Sequence, residues 1–155
     1  MIRFEKARLA DAEELAEVSK RAFDHDIHYG APGPGGPPGY DSPAWQAKVM
    51  RFGDYYKILD GKRMIGGMVI MRRRAREYEV GRIFIEPEHQ DQGIGTEAFE
   101  FLWEKYSLAK RWTLDTPAWN QRTRHFYEKI GFVEVGQDSD GCILFERRME
   151  PGGRQ

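Results

Sequence analysis

Seven residues in the middle of the chain, Gln90-Asp91-Gln92-Gly93-Ile94-Gly95-Thr96, place two glycines at the start of a helical apolar pattern. Glycine lets the backbone turn sharply and lets a ligand approach it closely. The unpaired amides of a first helical turn point outward at the positive end of the helix dipole, and such a terminus binds phosphate. A side chain at Gly93 or Gly95 is expected to obstruct that ligand. The same residues also serve as a plain glycine-rich helix start. A third reading is a dinucleotide turn, because Gly93-Ile94-Gly95-Thr96-Glu97-Ala98 fits G-x-G-x-x-A and Asp115 lies 20 residues past Gly95. Its context is poor: Glu86 to Gln92 separate the preceding strand from the first glycine, and the chain after Asp115 is too short to complete a six-stranded sheet.

Other reactive residue types stand in weaker patterns. Asp24-His25-Asp26-Ile27-His28 holds metal-ligand types without a clear further ligand elsewhere, so it reads as a solvated helix end and no metal is expected. Arg72, Arg73, Arg74 and Arg76 read as a solvated hairpin bend. Cys142 is the one cysteine and has no CxxC partner, and there is no G-x-S-x-G elbow, so covalent catalysis has no support.

The elements that must position these residues follow from periodicity. Ile2-Arg3-Phe4 alternates like a strand, and Leu15, Val18, Ala22 and Phe23 lie on one face of a helix expected to end near Asp26. Gly30 to Gly39 is glycine or proline at nine of ten positions and forms an irregular loop. Ser42-Pro43 caps a short helix. Tyr55 to Leu59 and Met64 to Met71 flank the turn Asp60-Gly61, and Tyr78 to Ile85 is a third strand. Ile94, Ala98, Phe101 and Leu102 share a helical face. Trp112 to Thr116 is a strand, Asn120 caps a helix carrying Thr123, Phe126, Tyr127 and Ile130, and a hairpin around Asp140-Gly141 closes the chain. The fold class is α/β: a mixed, mainly antiparallel sheet flanked by about four helices, in one domain over residues 1–155.

Composition sets outer limits. The 155 residues carry 24 Lys plus Arg against 25 Asp plus Glu, a net charge of −1. That balance argues against general nucleic-acid binding, which needs a basic excess. The longest uninterrupted apolar run, Met68 to Met71, is far below the roughly 20 residues of a membrane span. With one cysteine and no secretory pattern, the chain is expected to be cytoplasmic, without a membrane partner. A homodimer is left open.

Three motifs in order resemble the GNAT superfamily of acyl-coenzyme A dependent N-acyltransferases. Gln90-x-x-Gly93-x-Gly95 matches its Q/R-x-x-G-x-G/A pyrophosphate loop, Ile83-Phe84-Ile85-Glu86-Pro87-Glu88 resembles its strand-then-proline entry, and Asn120 with Phe126-Tyr127-Glu128-Lys129-Ile130-Gly131-Phe132 resembles its Asn…FYxKxGF signature. The resemblance spans about residues 2 to 149. It implies acetyl-coenzyme A as the donor, with its pyrophosphate on the backbone amides of Gln92, Gly93, Ile94, Gly95 and Thr96. It also implies a pantetheine arm beside Ile83, Phe84 and Ile85, a contact from Asn120, and the hydroxyl of Tyr127 near the thioester sulfur as an acid. A backbone amide near Phe84 or Ile85 would steady the oxyanion.

For the base, the resemblance suggests Glu79, six residues before Ile85. By period two, Glu79 is expected to share a face with Ile83 and Ile85. The acceptor, a primary amine on a small molecule or peptide, is expected between loop Tyr29 to Ser42 and the last hairpin, touching His28, Tyr29, Tyr40 and Asp41. A dinucleotide-dependent oxidoreductase and a coenzyme A-binding module without turnover are the rival readings.

Overall fold

The computed structural model describes residues 1–150. The elements run β1 (Ile2–Lys6), α1 (Ala12–Asp24), α2 (Pro43–Val49), β2 (Asp54–Asp60), β3 (Arg63–Arg74) and β4 (Glu77–Ile85). They continue with α3 (Ile94–Lys105), β5 (Arg111–Pro117), α4 (Gln121–Lys129), β6 (Val133–Gln137) and β7 (Cys142–Arg148). Short 3-10 turns occupy Leu9–Asp11, His25–Tyr29 and Pro87–His89. The expected order of strands and helices is therefore present. α1 stops at Asp24, two residues earlier than expected, because the chain tightens into the His25–Tyr29 turn.

The seven strands form one sheet in the order β1-β2-β3-β4-β5-β7-β6. Five neighbouring pairs are antiparallel and β4 with β5 is parallel. The parallel pair requires a crossover, and α3 supplies it. Arg72 to Arg74 extend β3 instead of forming a bend, and the turn falls at Ala75-Arg76, with Arg76 at φ 63°.

Each face of the sheet carries its own core. Met68, Ile70, Val80, Trp112, Leu114 and Phe145 pack with Ala98, Phe99 and Leu102 of α3 and with Tyr127 of α4. Tyr55, Leu59, Val69 and Phe84 pack on the opposite face with Leu15, Val18 and Ala22 of α1 and Val49 of α2. Phe99 joins Ile94, Ala98 and Leu102 among the buried residues of α3, while Phe101 is half-buried and stacks on Phe4 at 5.0 Å.

One irregularity redirects β4. Val69 pairs with Arg82 and Ile70 with Val80, so Gly81 is an extra, bulged residue. Strict alternation fails across it. Opposed residues of an antiparallel pair share a face, so Glu79, opposite Met71, lies on the α1/α2 face with Arg82 and Phe84. The expectation that Glu79 shares a face with Ile83 and Ile85 is overturned, because the bulge shifts the alternation by one residue.

The glycine-proline loop is fastened to this same face. Buried Gln46 accepts a hydrogen bond from the Tyr55 hydroxyl and donates to the carbonyls of Gly39 and Tyr40 at 3.2 and 3.3 Å. Arg82 donates to the Pro38 carbonyl at 2.5 Å and lies 3.9 Å above the Trp45 ring. Gln46→Ala leaves these buried groups unpartnered. It is expected to cost about 1–3 kcal/mol in urea unfolding and to make the loop between residues 30 and 42 cleavable by limited proteolysis.

Candidate active site

β4 and β5 are bonded at three residue pairs, ending at Glu79 with Thr113, and then part. Beyond that point β4 has a free edge. Glu86 donates to the Ile65 carbonyl at 2.7 Å, so every second residue counted back from Glu86 points into the β3 ladder. Ile83 and Ile85 therefore turn their N–H and C=O groups to the open side. The Ile85 carbonyl is met there by the Gln90 side-chain amide at 2.9 Å. The Phe84 amide belongs to the ladder, so of the two expected oxyanion donors Ile85 is the one exposed to the opening.

A cleft of about 470 Å³ lies along this edge. Ile83, Phe84 and Ile85 form one wall, Gln90, Gly93, Ile94, Gly95 and Thr96 a second, and Phe126 and Tyr127 of α4 a third. His89, Arg122, His125 and Lys129 also line it against one acidic neighbour, Asp91, so its charge suits an anionic ligand. The chemistry of the donor set agrees. Ser42 caps α2 and Asn120 caps α4 through their side chains, but α3 begins on Gly93 with no side-chain cap. The first α3 amide with an intrahelical acceptor is that of Glu97, bonded to the Gly93 carbonyl at 3.1 Å, which leaves the preceding amides for a ligand.

The two glycines of this loop have different jobs. Gly93 sits at φ 80°, where a side chain is strained, and nothing lies within 4 Å of where its Cβ would stand. A Cβ on Gly95 would meet the Phe126 ring at 3.1 Å, so this glycine permits close contact of α3 with α4. The expected obstruction by a side chain thus applies at Gly93, whereas at Gly95 a side chain first disturbs packing. Gln92 is exposed and outside the cleft lining, its side-chain amide bonded to the Glu88 carbonyl at 3.2 Å.

Tyr127 is buried among Phe99, Phe126, Phe132 and Phe145, with ring centroids 5.6 to 6.1 Å away. Burial pushes its phenol well above the ordinary range, so the hydroxyl keeps its proton at neutral pH. Asn120 is buried but is not part of the cleft lining; its side-chain oxygen accepts from the Thr123 amide at 3.1 Å. Its work here is to start α4 at the right place, which the Thr116 to Thr123 hydroxyl contact of 2.7 Å then ties to β5. Glu79 lies outside the cleft and is ion-paired with Arg73, whose Nε is 2.6 Å from Oε1.

The four expected acceptor contacts are dispersed. Tyr29 lies under the Arg122 guanidinium at 4.6 Å, and His28 packs on His25 at 4.8 Å. Tyr40 is turned back to α1, its hydroxyl donating to Asp24 at 2.8 Å, and Asp41 is exposed. None of the four lines the cleft.

Arg122 carried no local signal in the sequence, and Asp26 is read there only as part of a solvated helix end. Asp26 is buried rather than part of a solvated helix end, and its carboxylate is 3.4 Å from Arg122. Burial raises the Asp26 pKa against the opposing pull of Arg122. This pair ties the turn after α1 to the start of α4, 96 residues later in sequence, a distance over which no local pattern could reveal it.

The acetyltransferase (GNAT) domain description matches residues 52–134, and the chain belongs to this family. The dinucleotide reading falls with that match and with the mainly antiparallel sheet. The PaiA N-acetyltransferase of Thermoplasma acidophilum, crystallised with coenzyme A, superposes with a TM-score of 0.77 at 18% identity, over 96% of this chain and 99% of that one. The ribosomal-protein-S18-alanine N-acetyltransferase of Escherichia coli gives 0.76 at 18% identity, over 99% and 97%. An acetyltransferase of Thermus thermophilus gives 0.80 at 15% identity, over 96% and 97%. These likenesses concern the fold. In sequence, the uncharacterized protein YrkN of Bacillus subtilis is 29% identical over 79 residues, a match covering 50% of this chain and 43% of that protein.

The tight contact at Gly95 gives a stability test. Gly95→Asp is expected to lower the unfolding free energy by about 1–3 kcal/mol through overpacking against Phe126, measured by urea denaturation without ligand.

Proposed function

We propose that the protein is an acetyl-coenzyme A dependent N-acetyltransferase that modifies a primary amine by direct attack in a ternary complex. One observation carries this reading. The uncapped start of α3, the free edge of β4 and the Tyr127 side chain all face a single cleft with a basic lining. No helix among the described residues is long and apolar enough to cross a membrane, and we place the reaction in the cytoplasm.

Bound in this cleft, acetyl-coenzyme A supplies an activated thioester. The amides of Ile94, Gly95 and Thr96 hold its pyrophosphate, with Lys129 adding positive charge and His125 lining the cleft beside it. Ile83 hydrogen-bonds the pantetheine arm through its free backbone groups, and the Ile85 amide, next to a carbonyl already bonded by Gln90, steadies the thioester oxygen as negative charge develops on it. Tyr127, held protonated by its buried setting, donates to the departing sulfur. The acceptor enters from the α1/α2 face, where the anchored glycine-proline loop forms a wall and Tyr29 stands on the rim beside Arg122.

Titration with acetyl-coenzyme A and separately with NAD(P), then an amine-library screen read by mass spectrometry, tests the reading. Saturable acetyl-coenzyme A binding and a product heavier by one acetyl group are expected. Binding without transfer to any amine would leave a coenzyme A-binding module instead. Tyr127→Phe is expected to reduce turnover by a factor on the order of 10² while leaving acetyl-coenzyme A affinity nearly unchanged, as measured by steady-state kinetics and calorimetry.

A further inference from the structure

Two carboxylates flank the point where β4 and β5 part, and their surroundings differ. Glu79 is on β4 at the last bonded pair, and Arg73 holds it in an ion pair. Asp115 is on β5, two residues beyond that pair. Trp112, Leu114 and Thr116 are buried, the first two within the α3/α4-side core, so by alternation Asp115 projects to the α1/α2 face. The bulge at Gly81 puts Glu79 on that face too. At roughly 3.3 Å per residue, Asp115 stands about 6–7 Å further along the opening than Glu79, toward the level of the free edge at Ile83 and Ile85. It is exposed, and among the described residues no side chain hydrogen-bonds or ion-pairs with it.

We propose that Asp115 is the carboxylate that takes the proton from the incoming amine, while Glu79 serves as the structural partner of Arg73. The proposal rests on the N-acetyltransferase reading above. An ammonium acceptor must lose two protons. Asp115 takes the first and passes it to water, freeing the nitrogen lone pair to form the C–N bond. As the C–S bond breaks, Tyr127 gives its hydroxyl proton to the sulfur and is restored by the second proton from nitrogen. The sum is an amide, a free thiol and one proton released.

The charges around Asp115 fit that role. Partial desolvation raises its pKa, and Glu79 from β4 and Asp138 from the β6–β7 turn raise it further, against the pull of Arg82. Burial raises the thiol of Cys142 on β7, and Asp115, Asp138 and Asp140 add to that rise. A carboxylate raised this way is a stronger base than an ordinary aspartate. Burial pulls Arg82 down to about 10, which leaves it charged there. It is also the residue that holds the glycine-proline loop.

The test compares Asp115→Asn, Asp115→Ala and Glu79→Gln with any amine that the wild type acetylates. Both Asp115 variants should lose kcat/KM for the amine by a factor on the order of 10² with unchanged acetyl-coenzyme A dissociation constants, and Glu79→Gln should lose less than about threefold. In the ligand-free protein, the Asp115 carboxyl carbon should titrate by NMR above the usual aspartate range, shifting further up in Arg82→Met. A loss confined to Glu79→Gln, near-wild-type rates in all three variants, or an Asp115 carboxyl with ordinary titration would overturn the assignment. A wild type that acetylates no amine would instead defeat the enzymatic reading itself.

Discussion

The parting of β4 from β5 after Glu79 and Thr113 is the constraint on which the rest depends. A sheet interior normally satisfies every backbone group, and an unpaired strand edge inside a fold is costly. Here the edge is kept open by solid elements on both sides. β3 holds β4 from behind, β7 holds β5 along its whole length, and α3 and α4 pack beneath through the Phe99, Phe126 and Tyr127 cluster. The opening thus has fixed walls, and the backbone groups of Ile83 and the Ile85 N–H are left facing it, the Ile85 carbonyl being bonded by Gln90. The same parting gives the two faces different roles, because α3 and α4 line most of the cleft while Ala22 and Phe23 of α1 close it on the face to which the carboxylates project.

Two small features shape the α1/α2 side of this opening. The Gly81 bulge turns Glu79 to the face of Arg82, so the charged residues of β4 gather on the side away from the α3/α4 core. Arg82 then acts in two directions, fastening the loop through the Pro38 carbonyl and Trp45 ring while offsetting the charge of Asp115. On the other bank, the Asp26–Arg122 pair and the Tyr29 ring join the turn after α1 to α4. A Cβ on Gly30 would meet the Trp119 carbonyl at 3.2 Å, so the chain passes close to the β5–α4 junction here as well. The glycine-proline segment therefore bridges from α4 to β4 as an anchored strap.

How much of this could be read from the residues depended on the range of the interaction. The glycine-rich loop before α3, the cap at Asn120, the turn at Asp60-Gly61 and the order of elements are set by neighbours within a few positions, where periodicity, capping chemistry and glycine conformation act directly. Tyr127 was legible because it sits in a short signature on one helix. The resemblance to a known family extended this local information to a ligand.

Tertiary structure decided the rest, for a definite reason. Which face Glu79 occupies depends on one extra residue in β4, and a bulge is defined by the partner strand rather than by the strand's own alternation. The role of Gly95 depends on Phe126, that of Asp26 on Arg122, and that of Asp115 on where β5 leaves β4. Each of these is a contact between segments far apart in sequence. The amino-acid sequence by itself determined the elements and the glycine-rich, uncapped start of α3. Only the packed sheet, by fixing register and the parting of two strands, determined which side chains share the site.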